Sequence, residues 1–184
     1  MKVRLPERPN LLILALMLGS WPEPSTAQET ATAQGRAQTR VVAPVSTALR
    51  DALSFGSISV SAGASGTVTV SSDSTTAFLG VSQAHCTGQT KCRAHRAVFE
   101  VTGEAERTYG VSLPPSVVAR GERSGSALAV EALEMRSLNT SARSGGRLDK
   151  AGKDRFFVGG TVNVPAGTVS DVYRAELPVT VFYN

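Results

Sequence analysis

Short runs of alternating apolar and polar residues, separated by turn residues, follow one another from Val41 to Asn184. The clearest run is GTVTVS at residues 66–71, in which Val and Thr alternate. A period of two places successive side chains on opposite faces, which is typical of a half-buried strand and not of a helix. Val and Thr are also β-branched and favour pleated surfaces. About nine such runs, with turn signals at intervals of roughly 8–12 residues, predict an all-β antiparallel sandwich of roughly eight or nine strands, Ig-like or pilin-like.

Two runs in the second half of the chain make specific predictions. Residues 127–135 are predicted to form a strand, with Leu128, Val130 and Ala132 on one face. The pair Gly159-Gly160 interrupts another strand pattern and predicts a bulge or a close backbone approach.

The first 27 residues have the organisation of a secretory signal peptide. A basic segment precedes an apolar run at residues 11–18, and Ser25 and Ala27 supply the small residues of a cleavage site. The apolar run is too short to span a bilayer, which needs about 20 residues. We therefore expect export to the periplasm, the cell surface or the extracellular space, and no transmembrane segment after cleavage.

Composition divides the remaining chain into a leader and one domain. Residues 28–40 are small and polar without periodicity, which predicts a flexible leader. Residues 41–184 are predicted to form a single β-sandwich domain. The 19 Lys and Arg residues exceed the 15 Asp and Glu residues only slightly. Because the sequence contains no dense Lys/Arg cluster, nucleic-acid binding is not predicted.

The chain contains two cysteines, Cys86 and Cys92. In an exported chain, an oxidising compartment favours a disulfide between them, closing a short hairpin tip. The alternative is a zinc site that adds His85 and His95 as ligands. Zinc-finger spacing is absent, and adjacent residues of a strand point to opposite faces, so the disulfide is the favoured interpretation.

No combination of residues in the sequence meets the requirements of a catalytic site. Nucleophilic catalysis needs a base beside Ser or Cys, and the two histidines both lie next to the predicted disulfide. The sequence therefore predicts a protein that is not an enzyme and that requires no cofactor or metal.

The order of the motifs resembles the exported bacterial family known as domain of unknown function 4402. The resemblance covers roughly residues 40–184 and rests on LSFGSI (53–58), GTVTV (66–70), FEVTG (99–103), LDKAG (148–152), VGGTVNV (158–164) and VTVFYN (179–184). It implies a β-sandwich in the style of spore coat protein U-like and fimbrial subunits, with no assigned enzymatic activity. Asp171 and Ala175 stand where the family usually has Gly, and the Cys86/Cys92 hairpin is not a usual family feature.

Two segments are candidates for assembly with copies of the chain or with other surface subunits. The candidate donor or edge strand has an alternating face of Val41, Ala43, Val45, Thr47 and Leu49. The predicted terminal strand, residues 173–184, places Leu177, Val179, Val181 and Tyr183 on one face. An extended strand can join an open sheet edge of another chain, so a pilin-like or coat-like subunit is the first functional hypothesis. In the simpler alternative, the first segment pairs within its own sandwich.

The second functional hypothesis is a monomeric binding module for a polysaccharide or a protein. Sandwich domains commonly carry their function on loops. The predicted polar loop at residues 137–153 and the tip of the disulfide hairpin would then form the binding surface.

Overall fold

The computed structural model of the chain describes residues 33–84 and 92–184. This part contains thirteen strands and no α-helix. The strands are Ser46–Asp51 (β1), Ile58–Ser59 (β2), Gly66–Val70 (β3), Thr76–Leu79 (β4), Ser82–Gln83 (β5), Ala97–Thr102 (β6), Thr108–Ser112 (β7), Ser116–Gly121 (β8), Ala127–Ser137 (β9), Gly145–Arg147 (β10), Lys153–Val164 (β11), Tyr173–Arg174 (β12) and Thr180–Tyr183 (β13).

The described strands form three antiparallel sheets. The large sheet has the order β1-β6-β11-β9-β8-β12, with β3 pairing β11 and β4 pairing β3. A three-stranded sheet has the order β10-β7-β13, and β2 pairs β5. The predicted all-β, antiparallel, sandwich-like fold is confirmed, although several of its strands are shorter and more numerous than the sequence predicts.

The long strand β11 organises the large sheet. One side of it pairs with β9, while the other pairs first with β6 and then with β3. Its alternate side chains, from Asp154 to Val164, are buried on the inner face. The alternating pattern of the sequence explains this division, because successive strand residues point to opposite faces.

The inner face of the large sheet carries two apolar clusters. The first lies under the three-stranded sheet and contains Ala97, Phe99, Val101, Tyr109, Met135, Leu148, Phe156 and Val158. The second contains Val68, Ala119, Leu128, Val130, Val162 and Val164. In the first cluster the rings of Phe99 and Phe156, paired across β6 and β11, stack with centroids 4.9 Å apart.

A bulge in β9 corrects one prediction about its faces. Gly159 pairs with Glu134 and Thr161 with Glu131, so β9 carries one extra residue there. Ala132 has a φ of 51° and is exposed, whereas Leu128 and Val130 are buried as predicted. The predicted inward position of Ala132 is therefore wrong, because the extra residue shifts the alternation.

The predicted close approach at Gly159 is confirmed. A Cβ atom on Gly159 would lie 2.2 Å from the carbonyl oxygen of Val70. A side chain would therefore separate β11 from the end of β3.

The predicted terminal strand is two strands that belong to different sheets. Tyr173–Arg174 pairs with β8 in the large sheet, and Thr180–Tyr183 pairs with β7 in the small one. The chain crosses between the sheets at residues 175–179, where Pro178 has no N–H to donate. The predicted face nevertheless holds, because its members pack against the first cluster: Leu177, Val179, Val181 and Tyr183.

Two other segments differ from the predicted pattern. The run at residues 53–60 reduces to β2 and an isolated bridge between Ser54 and His95, because Gly56, with a φ of 72°, turns the chain. The predicted loop at 137–153 contains β10 and the buried Leu148.

The chain divides into two units, Met1–Thr39 and Arg40–Asn184. Of the first unit the structure describes residues 33–39, which are exposed and form neither helix nor strand. The predicted signal peptide and residues 28–32 of the predicted leader lie outside the described residues. Within the described residues, no helix is long and apolar enough to cross a membrane.

Candidate functional site

The strand β1 forms one edge of the large sheet. It pairs only with β6 in the described part of the chain, from Ser46 opposite Thr102 to Asp51 opposite Val98. All six of its side chains are exposed, and Leu49 is 56% exposed. The strand is therefore attached through its main chain, with no side chain buried in the core.

Side-chain contacts between β1 and β6 lie on the surface. The hydroxyls of Ser46 and Thr102 are 2.9 Å apart, and Arg50 Nη2 donates to Glu100 Oε1 at 2.7 Å. The hydrogen bond from Arg50 holds the pKa of the Glu100 carboxyl below its usual range. Because solvent screens exposed ion pairs, this contact adds little to the attachment of β1.

The residues before β1 have no strand structure. Val41 is 90% exposed, and Pro44 lies beside the half-buried Val45. In the predicted alternating face, Val45 is the residue that packs against the first cluster, while Val41, Ala43, Thr47 and Leu49 are exposed. Strand pairing begins at Ser46 and not at the predicted Val41.

Tyr183 ties this N-terminal segment to the domain. Its Oη donates to the carbonyl oxygen of Ala43 at 2.9 Å and accepts from the backbone N–H of Glu104 at 2.7 Å. A Cβ on Gly103 would lie 2.2 Å from that oxygen, so a larger residue there would displace the Tyr183 hydroxyl. Arg40 also donates to the Glu104 carboxylate. We call Arg40–Val45, with its contacts to Glu104 and Tyr183, the tether of β1.

A second open edge belongs to β13. Its partner in the described residues is β7, on one side. The N–H of Asn184 donates to the carbonyl oxygen of Thr108 on β7. Because main-chain groups alternate in direction along a strand, the N–H groups of Val181 and Tyr183 point to the open side. Another extended segment could pair with them.

One buried polar network lies inside the domain. Asp154 Oδ2 accepts from Tyr109 Oη at 2.8 Å and from Ser137 Oγ at 2.7 Å, while Asp154 Oδ1 accepts from the Asn139 N–H at 3.1 Å. Burial, followed by the hydrogen bond to Asp154, raises the pKa of Tyr109. Tyr109, Ser137 and Asp154 are all buried, so a substrate could not reach them, and the network serves to fix the turn after β9.

The sequence does not reveal this network. Asp154 resembles a solvated loop charge because the neighbouring residues Lys153 and Arg155 are charged. Asp154 is two residues before Phe156, so it lies on the same buried face of β11. This alternation is the one feature of the sequence that indicates a buried Asp154.

The predicted cysteine pair is only partly within the described residues. Cys86 and His85 lie outside them, so the disulfide remains a prediction. His95 Nε2 lies 3.4 Å from Asp51 Oδ1. Within residues 33–84 and 92–184, no group of three or more His, Cys, Asp or Glu side chains could hold a metal ion.

Comparison with known proteins identifies one family. The family described as domain of unknown function (DUF4402) matches residues 44–183, from the tether of β1 to the end of β13. Neither the search of curated proteins nor that of solved structures gave a match. The match covers most of the chain, including β1 and β13, and the chain therefore belongs to the DUF4402 family.

Proposed function

We propose that this protein is an exported, non-enzymatic subunit of a cell-surface assembly, and that it associates with other copies by exchanging β1. The observation that carries the proposal is the attachment of β1: it lies at a sheet edge with six exposed side chains. Release of β1 from β6 would therefore remove little apolar surface from the core. The predicted signal peptide supports export, and the resemblance to fimbrial subunits agrees with assembly.

An exchanged β1 would pair with another copy as it pairs with its own. Pairing of Ser46 with Thr102 and of Arg50 with Glu100 can form within one chain or between two. Exchange of an identical element is a low-cost route to association, because the same strand pairing forms in either arrangement. The tether has no strand structure. It would be the hinge that changes direction between the arrangement within one chain and the exchanged arrangement.

A pair of engineered cysteines distinguishes the two arrangements. In S46C/T102C the cysteines replace hydroxyls that already lie 2.9 Å apart across β1 and β6. Directly opposite strand residues are close enough for a disulfide. We expect mature protein recovered from its native envelope to give covalent multimers on non-reducing gels, since each bond would join two chains.

The matched control is T69C/T161C. These hydroxyls also lie 2.9 Å apart, but they join β3 to the second half of β11. This bond should remain within one chain, and it also controls for Cys86 and Cys92, which both variants retain. If S46C/T102C also gives bonds within one chain alone, β1 is not exchanged and the proposal is wrong.

A further inference from the structure

The outer face of the large sheet gathers cations that are far apart in the sequence. Strand register places Arg155 opposite Glu100, and Phe157 opposite both Val98 and Arg136. Side chains with odd numbers on β11 point outward, away from the buried even positions. The cationic face consists of Arg50, Arg96, Arg136, Arg143, Lys153 and Arg155.

Carboxylates compensate the charge of this face in part. Glu100 accepts from Arg50 and lies 3.9 Å from Arg155. Glu134 accepts from Arg143 at 3.0 Å, while its other oxygen accepts from Ser71 and Ser72.

Two further carboxylates lie at the border of the face. Asp51 faces His95, and Asp73 accepts from the N–H and hydroxyl of Thr75. Glu131, opposite the outward Thr161, lies further along the same outer face and accepts from Asn163. With these three carboxylates counted, the six cations of the face stand against five carboxylates, a surplus of one positive charge.

Several cations of the face remain available to a ligand. Within the described residues, Arg136 and Lys153 form no side-chain ion pair. The Arg155 side chain is 58% exposed. A guanidinium presents parallel N–H donors that match the two oxygens of a carboxylate or sulfate.

The arrangement favours an extended acidic polymer without bases over a single-stranded nucleic acid. Binding of single-stranded nucleic acids relies on aromatic rings on which bases stack. The aromatic residue of this face, Phe157, is covered by the Arg96 guanidinium, 3.5 Å from the ring centroid. The cations are spread over several strands on an open surface, so a ligand must carry several separated anionic groups to engage them together.

We propose that the cationic face binds an acidic polysaccharide through its carboxylate or sulfate groups. This activity does not require strand exchange, because Arg136 and Arg155 belong to β9 and β11 at the centre of the sheet. Arg50 is the one cation of the face that lies on β1, and an exchanged β1 would bring the Arg50 of another copy to the same place. Each exposed ion pair is weak, and affinity arises from several pairs formed along one polymer. Binding should therefore weaken as salt is added.

Titration calorimetry with polygalacturonate, at two salt concentrations, tests the proposal. We expect the wild-type chain to bind polygalacturonate at low salt and to show no binding to neutral dextran. R136E/R155E should bind at least about tenfold more weakly, because reversed charges repel the polymer. Unchanged thermal unfolding of the variant would establish that its fold is intact.

The control for position is R120E, a single charge reversal that is compared with R136E alone. Arg120 is exposed on the same sheet and pairs with Ala127, at the opposite end of β9 from Arg136, roughly 25 Å away. Its reversal should leave affinity nearly unchanged. Three outcomes would overturn the proposal: no binding by the wild type, equal weakening by R120E, or tighter binding of oligothymidylate with the same dependence on Arg136 and Arg155. The last would assign the face to nucleic acid.

Discussion

At the scale of single residues, the Asp171 carboxylate joins two neighbouring turns. It accepts from the backbone N–H groups of Ser124 at 2.7 Å, Arg123 at 3.0 Å and Val172 at 2.7 Å. These bonds, led by the one from Ser124, hold the pKa of Asp171 well below its usual range. A glycine, which the family resemblance favours at this position, could not accept them.

Asp171→Asn is expected to lower the thermal midpoint by a few degrees at neutral pH, since the charge is lost and the amide nitrogen cannot accept the hydrogen bonds made to the oxygen that it replaces. A depressed pKa means that the carboxylate contributes stability above its unfolded pKa of about 3.9 and loses that contribution as the pH falls through the folded pKa. The difference between wild type and variant should therefore shrink towards pH 2, as followed by circular dichroism. Glu176→Gln, at an exposed site, is the control and should show no such difference. A difference that is constant with pH would contradict this role.

At the scale of elements, the sequence predicts strands where alternation is uninterrupted. In β3 and β6 it also predicts the buried faces, because a two-residue period needs no tertiary information. It fails at the β9 bulge, since the glycine pair that signals the irregularity is on β11 while the extra residue lies on the neighbouring strand. The cationic face cannot be recognised in the sequence either, because Arg96, Arg136 and Arg155 are brought together only by the strand register.

The β9 bulge predicts opposite effects for two substitutions. Ala132 has a φ of 51°, which costs a residue with a Cβ about 1 kcal/mol or more relative to glycine. Ala132→Gly should therefore change the free energy of unfolding by between about 0 and +1 kcal/mol, after the entropy of the unfolded glycine is included. Ala132→Val should lower it by at least about 1 kcal/mol, because a β-branched side chain is more strained there. Urea denaturation measures both, and equal stability of the two variants would argue against the bulge.

At the scale of the whole molecule, the two proposed surfaces are compatible. Exchange of β1 uses the edge of the large sheet, whereas the centre of the cationic face lies on β9 and β11. An assembly of several copies would present several cationic faces to one polymer. Linked sites bind more tightly than a single site of the same affinity, so assembly would strengthen polysaccharide binding. In the proposed exchange, the tether of β1 would control how readily copies associate.

Tyr183→Phe tests this control of exchange. The variant keeps the ring, over which the Arg107 guanidinium lies at 4.7 Å, but loses the hydroxyl that binds Ala43 and Glu104. A hydrogen bond contributes about 1 kcal/mol, so β1 should be released roughly fivefold faster. The equilibrium between the two arrangements should change less, because the variant lacks this hydrogen bond in both.

Mixing of two singly substituted chains measures the rate of release. Chains with Ser46→Cys are mixed with chains carrying Thr102→Cys, and the disulfide joining them forms after β1 of one chain reaches β6 of the other. Tyr173→Phe is the control, since that hydroxyl donates to Val169, away from β1. We expect the mixed disulfide to form faster when both partners carry Tyr183→Phe, and at the wild-type rate when both carry Tyr173→Phe. Equal rates in all three pairs would mean that the Tyr183 hydroxyl does not restrain β1, and control of exchange through this hydroxyl would be wrong.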